Sequence, residues 1–185
     1  MGRTPTVTRD MVHQKFQVTF DKVTADRGGV VATGPGSVTI NSPEMADRCT
    51  HLSNYLRQES GIPQKLQELG MLLAARNMDC QYIWNAHAAS GRKAGLSDAL
   101  VDCLRDRRPI PPLPDDEAAL VNYGLELLRG HKVTQSTFQK ALDQFGAQQL
   151  TELTTLMGYY TLLAFNANAF EIDLPENRTE PLLPT

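Results

Sequence analysis

Apolar residues recur at helical spacing along most of this chain, and no segment shows sustained apolar–polar alternation bounded by hairpin turns. Ser42-Pro43-Glu44 reads as a helix start: Ser as N-cap, Pro at the first helical position, an acid in the first turn. Met45, Cys49, Leu52 and Leu56 carry its apolar stripe to about Gln58, and Gly61-Ile62-Pro63 breaks it. A second helix is expected from about Gln64 to Arg76, with Leu66, Leu69, Leu72 and Leu73 inward. A third is expected from Cys80 to Lys93, closed by Gly95. Ser97 caps a shorter one with Leu100, Cys103 and Leu104 inside. The run PIPPLP at 109–114 cannot be helical and reads as a stiff extended connector. Beyond it, Asp115 and Asp116 open a helix to about Arg129. Thr134 opens another, ending at Gly146, with Phe138, Leu142 and Phe145 inward. The last helix, from about Ala147 to Phe170, is apolar nearly all round, which predicts a central or subunit-covered position. Residues 1 to about 40 carry the breakers Arg27-Gly28-Gly29 and Thr33-Gly34-Pro35-Gly36 and read as loop with short elements. Residues 175–185 read as an extended, Pro-rich tail. The sum is an all-α fold of six to seven helices. It is expected to be one domain over 1–185, with a core motif at 42–108 and a C-terminal helical half at 115–171.

Composition narrows the partners. Hydrophobic residues make up 41% and charged residues 21% of the 185, the balance of an ordinary globular chain. The net charge of -3 gives no global field for nucleic acid, and no basic run has interleaved aromatics. No apolar stretch reaches the roughly 18 residues that span a bilayer, and the N-terminus has no apolar signal core. Three widely spaced cysteines (Cys49, Cys80, Cys103) do not form a disulfide framework and suit a reducing, cytoplasmic location.

Chemistry concentrates between positions 68 and 96, ELGMLLAARNMDCQYIWNAHAASGRKAGL. A carboxylate (Glu68), a thiol (Cys80) and an imidazole (His87) fall there, all able to move protons near neutral pH. Cys80 and His87 are two helical turns apart and so share a helix face, with Ile83 and Trp84 on the same side. A thiol near a helix N-terminus loses its proton more readily, and a carboxylate on the preceding helix can orient an imidazole. Trp84, the only tryptophan, reads as core packing or as a pocket wall. Arg76 reads as a helix-end dipole partner or as a clamp for a substrate carboxylate, and Tyr82 as facing a neighbouring helix. Metal ligation has no support, since no HExxH or CxxC pair is present and no second His lies within helical reach of His87. No phosphate-binding loop, dinucleotide fingerprint or nucleophile elbow appears, so no cofactor is expected.

The order Glu68, Cys80, Ile83, His87 and Ala94-Gly95-Leu96 resembles the carboxymuconolactone decarboxylase family of the alkylhydroperoxidase D-like superfamily. Arg27-Gly28-Gly29-Val30-Val31, Gly158-Tyr159-Tyr160-Thr161-Leu162 and Asn168-Ala169-Phe170-Glu171 look like its long branch, so the likeness runs from about residue 16 to 183. The resemblance implies a helical alkylhydroperoxidase D-like bundle and a homo-oligomer (dimer, trimer or hexamer). It implies a site on two adjacent helices, with Glu68, Cys80 and His87 catalytic and Arg76, Tyr82, Ile83 and Trp84 against a small-molecule substrate. The peroxidase branch has a second cysteine where this chain has Ile83, and an apolar side chain can neither attack a peroxide nor form that disulfide. The resemblance with this departure implies a lyase: acid–base decarboxylation, or related isomerase chemistry, on a small carboxylate or lactone. The alternatives are a single-cysteine thiol peroxidase centred on Cys80, whose sulfenic acid would need another thiol to resolve it, and a non-catalytic ligand-binding member.

Overall fold

Eleven consecutive buried residues, Leu66 to Arg76, mark the centre of the molecule. They belong to α4 (Gln64–Asn77), which packs against α5 (Gln81–Lys93), α7 (Asp115–Gly130) and α8 (Gln135–Ala169). The computed structural model describes residues 2–184, and among these there are α- and shorter helices and no strand. The long helix expected at the C-terminus is therefore not the central one. Its interior face (Leu153, Leu156, Met157, Tyr160, Ala164) is buried, while Leu162 and Phe165 are 41% and 61% exposed. Three polar residues of α4, Gln67, Glu68 and Arg76, hid its position from the hydropathy pattern, and each is buried with a partner. Gln67 Nε2 donates to the carbonyls of Ile62 and Arg57, Glu68 meets His87, and Arg76 Nε donates to the Arg105 carbonyl. A buried polar group so satisfied avoids a desolvation cost of about 1–3 kcal/mol.

The other helices follow the expected boundaries closely. α3 (Pro43–Asn54) begins after Ser42, whose side chain makes no capping bond; it runs into a widened π turn, Tyr55–Glu59. Met45 and Leu52, expected inward, are exposed, as is Phe138. α6 (Asp98–Asp106) starts at Ser97, whose Oγ accepts from the Leu100 N–H. The two helices expected after Thr134 run on as α8, broken at Gly146, where φ is 71° and ψ 167°. The connector 109–114 contains no helix.

Two short helices precede these: α1 (Gln17–Thr24) and α2 (Pro35–Thr39). Phe20 of α1 and Ala46 of α3 join Val7, Val12, Val31 and Ile40 in a second, smaller apolar cluster. α2 opens at Gly34, whose φ of 73° is costly for any residue with a Cβ. The tail, described as far as Pro184, lies along α5. Gln81 and Leu183 exchange side-chain and backbone hydrogen bonds at 2.8 and 2.9 Å, Asn85 Nδ2 donates to the Glu180 carbonyl, and Arg92 pairs with the Glu180 carboxylate. Leu183 is 2% exposed. Among the described residues no helix is long and apolar enough to cross a membrane.

Candidate functional site

α5 has three faces, and the candidate site arises where two of them meet. At about 100° per residue, Trp84, Ala88 and Gly91 point into the core, with Cys80, the residue before the helix, beside them. Gln81, Asn85 and Arg92 take the tail. Tyr82, Ile83, Ala86 and His87 line a cavity of about 350 Å³, a size suited to a small organic molecule. His87 sits on the border between the cavity face and the core face. Its Nδ1 reaches inward to Glu68 Oε2 at 2.8 Å, which leaves Nε2 as the ring nitrogen without a partner among the described residues. Gly91, one turn on, lets leucines pack closely beside the pair, because a Cβ there would lie 3.0 Å from Leu96 Cδ1 and 3.3 Å from Leu72 Cδ1.

The Glu68 side chain is 4% exposed and that of His87 14%. A carboxylate buried that deeply needs a compensating donor, and the imidazole supplies it. With Nδ1–H bound to the carboxylate, Nε2 can accept a proton, and the carboxylate stabilises the resulting cation. Tyr160, from α8, lies edge-on to His87 with ring centroids 5.0 Å apart. Burial pushes its ionisation up to about 12; nearby Arg57 opposes this and Glu68 adds to it. The hydroxyl is therefore a proton-bearing donor at neutral pH, and it makes no hydrogen bond to a described residue.

Two cations complete the cavity wall. Arg27 follows α1, and Arg57 is carried by the π turn. Neither guanidinium group has a hydrogen-bond or ion-pair partner among the described residues. The Thr33-Gly34-Pro35-Gly36 loop borders the same space, and a Cβ on Gly34 would lie 3.0 Å from the Tyr82 hydroxyl.

The structure brings Glu68, His87, Tyr82 and Ile83 together and leaves three expected members elsewhere. Cys80 precedes the first turn, is fully buried and does not line the cavity. Burial pushes its thiol up, against the smaller lowering effect of the Ile83 and Tyr82 backbone N–H groups. Trp84 packs in the core, with its Nε1 unpartnered. Arg76 lies two turns of α4 beyond Glu68 and lines a different cavity, so it cannot serve as the carboxylate clamp beside His87. Arg27, Arg57 and Tyr160 converge from distant parts of the chain. Their only local signals were the glycine-rich loop after Arg27 and the Gly158-Tyr159-Tyr160 stretch. Among the described residues no group of three or more His, Cys, Asp or Glu side chains could hold a metal ion.

An all-helical bundle with a buried carboxylate–imidazole pair on adjacent helices defines the class. Residues 43–110 match the profile of the carboxymuconolactone decarboxylase family, a span that includes both Glu68 and His87. Three solved structures share the fold. A peroxidase-related protein from Ralstonia eutropha JMP134 has a TM-score of 0.70 at 14% identity, covering 95% of this chain and 93% of that one. A second, from Silicibacter sp. TM1040, has a TM-score of 0.68 at 15% identity, covering 90% and 87%. An AhpD-like protein of unknown function from Agrobacterium tumefaciens has a TM-score of 0.66 at 22% identity, covering 74% and 94%. At these identities the likeness is one of fold. Comparison with curated proteins gives no significant match. Residues 43–110 thus resemble the carboxymuconolactone decarboxylase family, and the chain as a whole shares the fold of these peroxidase-related structures.

Proposed function

We propose that this chain is an acid–base enzyme, a decarboxylase or related lyase or isomerase acting on a small carboxylate or lactone. The observation that carries this reading is the 2.8 Å contact between Glu68 and His87 at the wall of a cavity that also presents two unpaired guanidinium groups. Arg27 and Arg57 hold a carboxylate that the reaction retains. Loss of carbon dioxide from a second carboxylate leaves an enolate. The Tyr160 hydroxyl donates a hydrogen bond to its oxygen, and His87 Nε2 delivers the proton to carbon, with Glu68 holding the ring. The apolar side chain of Ile83 on the same wall limits water there, which strengthens these interactions.

The reading is tested by carbon dioxide release from a panel of carboxylated lactones and β-keto acids. His87→Ala and Glu68→Gln are expected to lower turnover by about 10²–10⁴-fold with unchanged helicity by circular dichroism. A fully active His87→Ala protein eliminates the proposal.

A second reading, thiol-dependent peroxide reduction, draws support from Cys49, which lines the same cavity, and from the peroxidase-related fold neighbours. Burial raises the thiols of both Cys49 and Cys80, which works against their nucleophilic thiolate forms. Peroxide consumption with an added thiol reductant discriminates. Equal, slow rates in wild type, Cys49→Ser and Cys80→Ser would remove this reading.

A further inference from the structure

A second cavity, of about 570 Å³, opens at the C-terminal end of α4 and shares no lining residue with the first. Glu68 and Arg76 lie on the same helix, eight residues and roughly 12 Å apart along its axis, so the two cavities flank one rod. Four arginines line the second: Arg76, Arg107, Arg108 and Arg129. The two carboxylates beside them are Asp79, which pairs with Arg76 and Arg107, and Asp106, which pairs with Arg105 and Arg108. Arg105 is further paired with Asp102. Arg129 has no hydrogen-bond or ion-pair partner among the described residues. Arg76, whose side chain is 9% exposed, uses Nε on the Arg105 carbonyl and Nη1 on Asp79, and its Nη2 has no acceptor among the described residues.

Cationic charge thus exceeds anionic charge here, in a chain whose net charge is -3. Burial, then Arg107, and more weakly Arg129 disfavour the charged form of Arg76, against the opposing pull of Asp106. Such crowding costs free energy that a bound anion would offset. Apart from Asn77, the remaining wall is largely apolar, with Leu73, Leu104, Ile110 and Leu125, and the proline-rich connector 109–114 borders the rim. A concave pocket of this kind does not fit a nucleic-acid backbone, and its apolar wall gives no gain to a bare inorganic ion.

We propose that this cavity is a binding site for a small amphipathic oxyanion, a carboxylate or phosphate monoester with an apolar body of several carbons. The Arg76 Nη2 and Arg129 guanidinium groups take the oxygens, and the four aliphatic side chains take the body. The site is independent of the proposed reaction at His87.

Calorimetric titration of the full chain at low ionic strength tests this with hexyl phosphate and hexanoate, using hexanol and inorganic phosphate as controls. One or both amphipathic anions are expected to bind at one per chain, at least tenfold more tightly than either control, and which of them binds identifies the head group. Arg129→Gln, a substitution at an exposed position, is expected to weaken that binding at least tenfold, while Arg57→Gln in the other cavity leaves it unchanged. Failure of both anions to bind overturns the proposal. So does binding that survives Arg129→Gln, or binding that disappears with Arg57→Gln, which would place the ligand beside His87. Inorganic phosphate binding as tightly as hexyl phosphate overturns the amphipathic assignment.

Discussion

The side chains around His87 divide the chemical labour by their surroundings. Glu68 is sealed in and touches the imidazole, while Tyr160 is sealed in and touches no acceptor, so one is held as an orienting acceptor and the other as a spare donor. The tyrosine makes a measurable signature. In an unfolded chain its phenol ionises near 10, and in the folded protein near 12. Between those values the folded state keeps a proton that the unfolded state has lost, so stability contributed below pH 10 falls away as pH rises toward 12. Denaturant melts of wild type and Tyr160→Phe across that interval are expected to show the loss in wild type, with a smaller slope in the variant. Under the proposed reaction, carbon dioxide release falls in the same variant while substrate binding through the arginines persists. At this scale the sequence was partly legible. Glu68 and His87 could be paired because both sit on recognisable neighbouring helices. Cys80 and Trp84 looked equivalent to His87 on a helical wheel, yet a wheel does not say which arc meets solvent and which meets α4. The residues that close the cavity, Arg27, Arg57 and Tyr160, are far from His87 in sequence, and their meeting depends on tertiary packing that no local pattern encodes.

Elements were more legible than residues, because caps, breakers and apolar periodicity are local. The helices from α3 onward begin and end near their sequence signals. α1 and α2 were missed for physical reasons. α1 has only Phe20 and Thr24 buried, too few to make a stripe. α2 is a single turn whose start depends on the backbone at Gly34. The tail was expected to be extended; as far as Pro184 it has no helix or strand, and its docking on α5 rests on long-range pairings such as Gln81 with Leu183. Leu183→Ala is expected to cost about 2–3 kcal/mol in a denaturant melt if the tail unfolds together with the bundle. A cost near zero would show that the tail detaches on its own and lends α5 no support.

For the molecule as a whole, the existence of two separate apolar clusters is the important fact. The main cluster surrounds α4, and the lesser one, centred on Phe20, supports the segment that carries Arg27 and the Gly34 loop. Regions resting on small cores open at lower free energy than the rest. Phe20→Ala, which removes about 3–5 kcal/mol of packing, is expected to speed hydrogen exchange throughout residues 17–40 while α4 amides stay protected. Uniform acceleration across the chain would mean that the two clusters melt as one. The π turn at Tyr55–Glu59 bears on how this architecture diversifies. A widened turn of that sort closes over one residue more than a regular α-helical turn. Deleting a residue there would restore regular winding and swing position 57 by about 100°, taking its positive charge off the cavity wall. Length variation among relatives at this point would then sort them by appetite for charged or neutral substrates, with no change at the Glu–His pair.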